Sequence, residues 1–296
     1  MAFFLDSALL GLEYSMLAVG VYISFRLLNI PDLTVDGSFT LGVAVSAVLT
    51  AAGHPFLGLA AALFAGAAAG AVTGLLHTKA GIHPILAGIL TMSGLYTVNI
   101  KILGGPNLSL LGRTRLYDCA AALMPDLGRG GAKALCAIVL CAAAVVLLAL
   151  FFRSEAGLCV LATGDNEAMV RASSINTAAV KVGALALSNA LVGLSGGVIA
   201  QYQGFGDVSS GSGMIVIGLA SVIIGEVVFG RRSVTVGLIS AVCGSVIYRI
   251  ILAFALQYNV LSADSLKLLS AVIVAVTLAV PAVKTAASRR AALRRS

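Results

Sequence analysis

The few ionisable side chains in an otherwise apolar chain are the first candidates for chemistry. Glu13, Glu226 and Arg249 each fall inside an apolar run. A charge there is costly, so it either meets a partner or faces water along a pathway. Glu13 therefore has two readings: an ion pair with Arg249 or Lys101, or a contact to a passing solute. Glu226 lies near the other end of its run, where Arg26, Arg231 and Arg232 are candidate partners. Two polar stretches add to the set. "NIPDLTVDGSF", residues 29–39, holds Asp32 and Asp36 together with Pro31 and Gly37, read as helix breakers. It is either a loop in which Asp36 or Ser38 caps a helix, or a broken helix along a pathway to which Asp32, Asp36, Gly37 and Ser38 contribute. "GDNEAMVRASSIN", residues 164–176, opens with acids and carries Arg171 later, an order that suits the dipole of a short helix starting at Gly164. Met169, Val170 and Ile175 add apolar knobs. Such a helix fits the groove of a partner; a plain connecting loop is the alternative.

No enzyme-like set accompanies these residues. His54, His77 and His83 fall at expected loop edges, and no metal site is predicted. Cys119, Cys136, Cys141, Cys159 and Cys243 show no metal-ligand or redox spacing, and four of them sit in or beside apolar runs, where cysteine is a small hydrophobe. Leu194-Ser195-Gly196-Gly197 has the letters of a transport-ATPase signature, but it lies within an apolar helix. The chain has no Gly-Lys dipeptide and so no P-loop of the usual form. Gly196 and Gly197 are read as packing residues, and no cofactor is expected on this chain.

The elements that position these groups follow from composition. The 296 residues are 59% hydrophobic and 10% charged, with a mean hydropathy of +1.05. Soluble domains carry roughly a quarter charged residues. The apolar runs are near the roughly 20 residues that cross a bilayer as helix, and they lack the alternation of barrel strands. The expected fold is an all-α polytopic transmembrane bundle of nine spans, at 8–28, 37–53, 56–77, 84–104, 132–152, 179–201, 213–229, 234–256 and 266–284. These make one permease-like membrane domain, 1–284, followed by a basic tail, 285–296. The start MAFFLDSALL lacks the basic region of a signal peptide. The net charge of +7 is read as basic membrane edges, not as a nucleic-acid surface. With the C-terminus inside, twelve Lys and Arg fall on inner segments and six on outer ones, with Arg249 left within a span. That bias places the C-terminus and residues 153–178 in the cytoplasm. Spans 1–4 and 6–9 also share a pattern. In each, a short small-residue segment (from Gly37-Ser38, or from Gly211-Ser212-Gly213) turns into a glycine-bearing helix. Span five between them would give an inverted repeat, with a pathway at the repeat interface.

Three motifs carry a family resemblance. "GDNEAMVRASSINTAAVK" resembles the cytoplasmic coupling loop of permease subunits from bacterial ABC importers of the branched-chain amino acid and ribose type. That loop ends in Gly-Ile-Asn, where this chain has Ser174-Ile175-Asn176. "PDLTVDGSFTLGVAV" is similar to the family's Ile-Asp-Leu-Ser-Val-Gly-Ser segment, with Asp36 additional. "GAVTGLLHTKAGIHPILAGILTM" is similar to its Gly-Ala-Val-Thr-Gly helix and the turn that follows. The resemblance covers about 10–285, and the "PDLTVDGSF" form looks most like tryptophan/tyrosine-type permeases. It implies that Gly164, Asp165, Asn166, Glu167, Arg171, Ile175 and Asn176 contact ABC ATPase subunits, with Asp165, Glu167 and Arg171 as the polar contacts. It places Asp32 to Ser38 near the translocation path. It also implies a second permease subunit in a homodimer, an extracytoplasmic substrate-binding protein, ATP and Mg held by the partner ATPase, and an inner-membrane location. The implied substrate is an amino acid, aromatic or branched, with a sugar or nucleoside second. Two rival classes stand beside this reading. An ion- or proton-coupled secondary transporter would use Glu13, Asp32 or Asp36. An intramembrane enzyme would need a catalytic set, and none is found.

Overall fold

The computed structural model describes residues 2–124, 128–230 and 232–257, with isolated positions beyond. The apolar runs are helices because each backbone N–H and C=O in hydrocarbon must be bonded within its own segment. In chain order the elements are α1 (Ala2–Glu13), α2 (Ser15–Val21) continuing as a π-helical segment (Tyr22–Leu27), α3 (Thr34–Ala51), α4 (Pro55–Thr78) and α5 (Pro84–Leu103). Then come β1 (Asn107–Ser109), α6 (Leu116–Leu123), α7 (Gly128–Phe151), α8 (Glu155–Asp165), α9 (Glu167–Ala172) and α10 (Thr177–Gln203). The last are β2 (Phe205–Asp207), a 3₁₀ turn (Val208–Gly211), α11 (Met214–Phe229) and α12 (Val234–Gln257).

Among the described residues seven helices are long and apolar enough to cross a membrane, and the pair Phe4–Glu13 and Ser15–Leu27, bent by 40°, makes an eighth if it is one span. These correspond to the first eight expected spans. The expected ninth, 266–284, and the tail, 285–296, lie outside the continuously described residues. The bend at Tyr14 and the π-helical turn were not anticipated, since neither Pro nor Gly marks them.

One expected break is corrected. Helix α3 starts at Thr34, so Gly37 lies within it. A Cβ at Gly37 would come within 3.0 Å of Leu95 Cδ1 and 3.1 Å of Met92 Cα, so this glycine admits α5 at close range and does not end a helix. The break is confined to residues 28–33, where Asn29 takes a left-handed φ of 54°.

Helix α10 runs through the middle of the bundle. Gly66, Gly70 and Gly74 of α4 lie under it, with Asn189 O, Leu185 O and Val182 Cα where a Cβ would stand. From the α10 side, Gly196 meets the backbone of Phe39 and Gly197 meets Ala62 and Ser46. Both glycine sets serve helix packing, as expected of small residues where lipid supplies no hydrophobic drive between helices. At the C-terminal end of α10, β2 pairs antiparallel with β1, Leu108 opposite Gly206, and ties that loop to the one after α5. Helices α8 and α9 stand at the other end of α10.

Candidate functional site

The polar stretch 164–176 is an elbow between two helices. The expected helix start at Gly164 is corrected: Gly164 and Asp165 end α8, and a new helix, α9, begins at Glu167. The turn belongs to Asn166, whose Oδ1 accepts the Met169 N–H at 3.1 Å and caps α9. Asn176 does the same for α10, accepting the Ala179 N–H at 3.1 Å. Glu167 is tied inward. Its carboxylate accepts Lys181 Nζ at 2.7 Å, Arg171 Nη2 at 2.9 Å and the Thr177 hydroxyl at 3.3 Å. The Lys181 hydrogen bond, against partial desolvation and with the Lys181 and Arg171 charges and the Thr177 bond adding, holds this carboxyl below the usual glutamate range. Gly164 has no room for a side chain against the Leu27 carbonyl, and its own carbonyl accepts Asn29 Nδ2 at 3.0 Å.

Gly164 is closed in against the Leu27 backbone, while Glu167, though paired, keeps its side chain 35% exposed. Asp165, Asn166, Ala168, Ala172 and Asn176 are exposed, and Ile175 is half-buried. Met169 is 58% exposed and the Arg171 side chain 72%. Val170 is the buried knob that seats α9. A shallow open hollow lies along Glu167, Ala168, Arg171 and Ala172. Ser174 carries φ +63°, so this turn is held by a non-glycine residue at some cost in backbone strain.

The carboxylates of 29–39 sit deep. Phe39 stacks on Tyr14 with ring centroids 6.0 Å apart. Tyr14 stands roughly 20 Å from Leu27 along the first span at 1.5 Å per residue. Asp36, one turn before Phe39, is therefore roughly halfway through a hydrocarbon layer of about 30 Å. It caps no helix of its own. Its two oxygens accept the N–H groups of Gly213 (2.9 Å) and Ile215 (2.8 Å), at the start of α11. Residues 206–213 descend along α3, with Gly206 against Val43 and Ala47 and Gly211 against Asp36 and Thr40. So α11 begins within the membrane, with a carboxylate at the positive end of its dipole. The Ser38 hydroxyl is buried there without a hydrogen-bond partner.

Asp32 is 3% exposed and pairs with no cation among the described residues. It accepts Asn189 Nδ2 at 2.6 Å and the Thr34 N–H at 2.9 Å. A chain of hydroxyls runs on from Thr34 to Thr73 (2.7 Å) and Thr91 (2.9 Å), across α3, α4 and α5. Glu13 is elsewhere. It sits at the bend of the first span, 1% exposed, and accepts the Tyr117 hydroxyl at 2.5 Å, while its backbone carbonyl accepts Ser195. Ser195 and Asn189 are about 9 Å apart along α10, so Glu13 and Asp32 are not one site. Among the described residues Glu13 forms no ion pair with Arg249 or Lys101. The Arg249 guanidinium instead lies over the Tyr14 ring, 3.7 Å from its centroid, and Lys101 is exposed. The Glu226 expectation holds in its Arg26 form, at 2.5 Å.

Two residues central to this network escaped the sequence reading. Asn189 holds Asp32, and buried Gln201 accepts the Leu116 N–H while donating to Ser46 and the Pro55 carbonyl. The available signal was an uncharged amide side chain within an apolar helix, which must find partners on its neighbours.

Comparison with known proteins agrees with the residue-level likeness. Residues 3–281 match the family model of the branched-chain amino acid transport system permease component. The chain is 36% identical over 270 residues to a tyrosine transport system permease protein of Clostridioides difficile (strain R20291), covering 91% of this chain and 88% of that one. It is 32% identical over 216 residues to an uncharacterized protein of Rickettsia prowazekii (strain Madrid E), covering 72% and 73%. No solved structure matches it.

Proposed function

Because the chain belongs to the family of branched-chain amino acid transport system permease components, we propose that it is the membrane subunit of an ATP-driven importer for an amino acid, aromatic before branched. It is a multi-pass transport subunit and not an enzyme in its own right. In this reading ATP and Mg are bound by separate ATPase subunits that dock on α9. The observation that carries it is the α8–α9 elbow. Its caps and the Glu167–Lys181 pair fix a short helix to α10, and that helix turns Met169 and Arg171 outward. A fixed amphipathic helix with an apolar knob is what a partner's groove can grip.

The deep start of α11 supports a pathway near Asp32, Asp36, Gly37 and Ser38, because helices broken within the membrane recur where transporters hold their solutes. Helix α5 leaves Ser93, Gly94, Thr97 and Lys101 exposed. Polar groups on a membrane helix favour a water-filled path or a protein neighbour over lipid, and a second copy of the permease across that face would supply one. A substrate-binding protein would then deliver solute at the β1–β2 end, with the C-terminus and α9 in the cytoplasm of an inner membrane. The preference for tyrosine-like substrates rests on the relative from Clostridioides difficile; a sugar or nucleoside is the second choice.

Buried Asp32 and half-buried Asp36 keep one rival in play, a proton- or ion-coupled secondary transporter. Uptake of labelled tyrosine into cells expressing the chain with and without a candidate ATPase and binding protein separates the two. The importer reading expects uptake that needs the ATPase and survives a protonophore. Uptake without the ATPase that collapses with the protonophore would reverse the order.

A further inference from the structure

At the membrane edge that carries α8 and α9, a pocket of about 250 Å³ opens between the first span, α11 and the turn into α12. Among the described residues, Tyr22, Arg26, Asn29, Glu226, Arg232 and Ser233 contribute to its wall. Two guanidinium groups face one carboxylate, so the pocket keeps a net positive charge after Arg26 and Glu226 pair. Arg26 spends Nη2 on Glu226, while its Nε is buried and makes no hydrogen bond. Arg232 and Ser233 are exposed on the turn that begins the 24-residue helix α12. The positive end of that helix dipole adds to the charge of the arginines. The Ser233 hydroxyl accepts the Val236 N–H, so its own proton remains to be given. The set is therefore rich in donors and poor in acceptors: two planar guanidiniums, a hydroxyl and the Asn29 amide.

The chemistry that matches it is a phosphate oxyanion, which takes guanidinium groups bidentately and is favoured at a helix N-terminus. The setting is a lipid one. The last turn of α11 exposes Val227, Val228 and Phe229 beside Glu226, where acyl chains can lie. We propose that this pocket binds the phosphate of an anionic phospholipid headgroup. The ligand would lie against Asn29, which donates to Gly164 O at the end of α8. Lipid occupancy would thereby brace the elbow that bears α9. The site itself does not depend on the importer reading, and its test needs no ATPase and no transport assay.

The test is native mass spectrometry of the full chain released from detergent. It is titrated with phosphatidylglycerol, with phosphatidylcholine as a zwitterionic comparison and with inorganic phosphate as a soluble competitor. Wild type should retain phosphatidylglycerol in preference to phosphatidylcholine. Arg232→Gln should lower that retention about tenfold, the loss of one charge-assisted contact. Arg26→Lys keeps the charge beside Glu226 but loses the planar fork, and should fall between. Lys79→Gln removes one charge from the same edge outside the pocket and should change nothing. Each variant is first checked for a wild-type elution profile, and Arg26→Lys carries the test if Arg232→Gln fails it. Equal losses in Arg232→Gln and Lys79→Gln would reduce the effect to general surface charge and overturn the proposal. Binding of inorganic phosphate without phosphatidylglycerol would overturn the lipid source, and binding of neither would overturn the site.

Discussion

Carboxylates at the α9 elbow and in the membrane interior are held in opposite ways. Glu167, on the aqueous side, collects cations from Lys181 and Arg171. Asp32 and Asp36, in the interior, take neutral donors: an amide side chain and backbone N–H groups. In water an ion pair is worth little and its loss is quickly compensated by solvent. Where a carboxylate is closed in, as Asp32 is, little replaces a lost partner, so the same bond count carries more stability. The elbow can therefore vary in detail while keeping its shape. The interior carboxylates cannot.

Breaking the interior side of this contrast should give the largest effect. Asp36→Ala removes both acceptors from the half-buried start of α11 and should cost about 2–3 kcal/mol. It would be seen as loss of a monodisperse peak and a large fall in Tm in detergent, with Asp36→Asn less affected. A Tm within a degree of wild type would show that water reaches the α11 start. Next in size is Asn189→Ala, which leaves Asp32 buried with one fewer donor and should cost about 2 kcal/mol. In a double-mutant cycle with Asp32→Asn the two losses should be strongly non-additive, and additivity would break the pairing.

The elbow offers smaller effects. Ser174→Gly relieves a left-handed φ and should stabilise by about 0.5–1 kcal/mol, read as a rise in Tm. A fall would mean that the serine makes a contact worth more than its strain. Glu167→Gln should cost about 1 kcal/mol or less, because the carboxylate is 35% exposed and solvent screens its pairs. The pH sign follows from a folded-state pKa lowered mainly by Lys181. The Glu167 contribution is complete above the unfolded glutamate value and is lost as pH falls through the lower folded value. Wild type and Glu167→Gln should therefore differ at neutral pH and converge in acid. Divergence in acid would contradict the pairing.

How much of this was legible in the sequence differs between the two regions for physical reasons. Eight spans could be placed within a few residues because hydrocarbon forces continuous apolar runs. The glycines of α4 were readable as a packing surface, since four-residue spacing puts them on one face, and Gly196 and Gly197 because they lie within an apolar helix. The partner of Asp36 was not readable. It lies 177 residues away on the backbone of a segment that turns back along α3, and backbone donors carry no sequence letter. Glu13 shows the same limit. Counting residues matches its depth to Arg249, but azimuth around the helix decides contact. Azimuth gave Glu13 to Tyr117 and Arg249 to the Tyr14 ring. At the elbow the helical tendency was visible, while the cap at Asn166, not Gly164, was decided by the side chain that could accept the Met169 N–H.

The central claim is that α9 is the handle by which a separate ATPase grips this permease. The direct test is co-purification of that ATPase with tagged wild type and with Met169→Asp, a change at a side chain 58% exposed that no internal hydrogen bond uses. The account expects the ATPase to follow wild type and to be lost, by about tenfold or more, from a Met169→Asp chain of unchanged Tm. Equal recovery with both chains, at equal Tm, would contradict it.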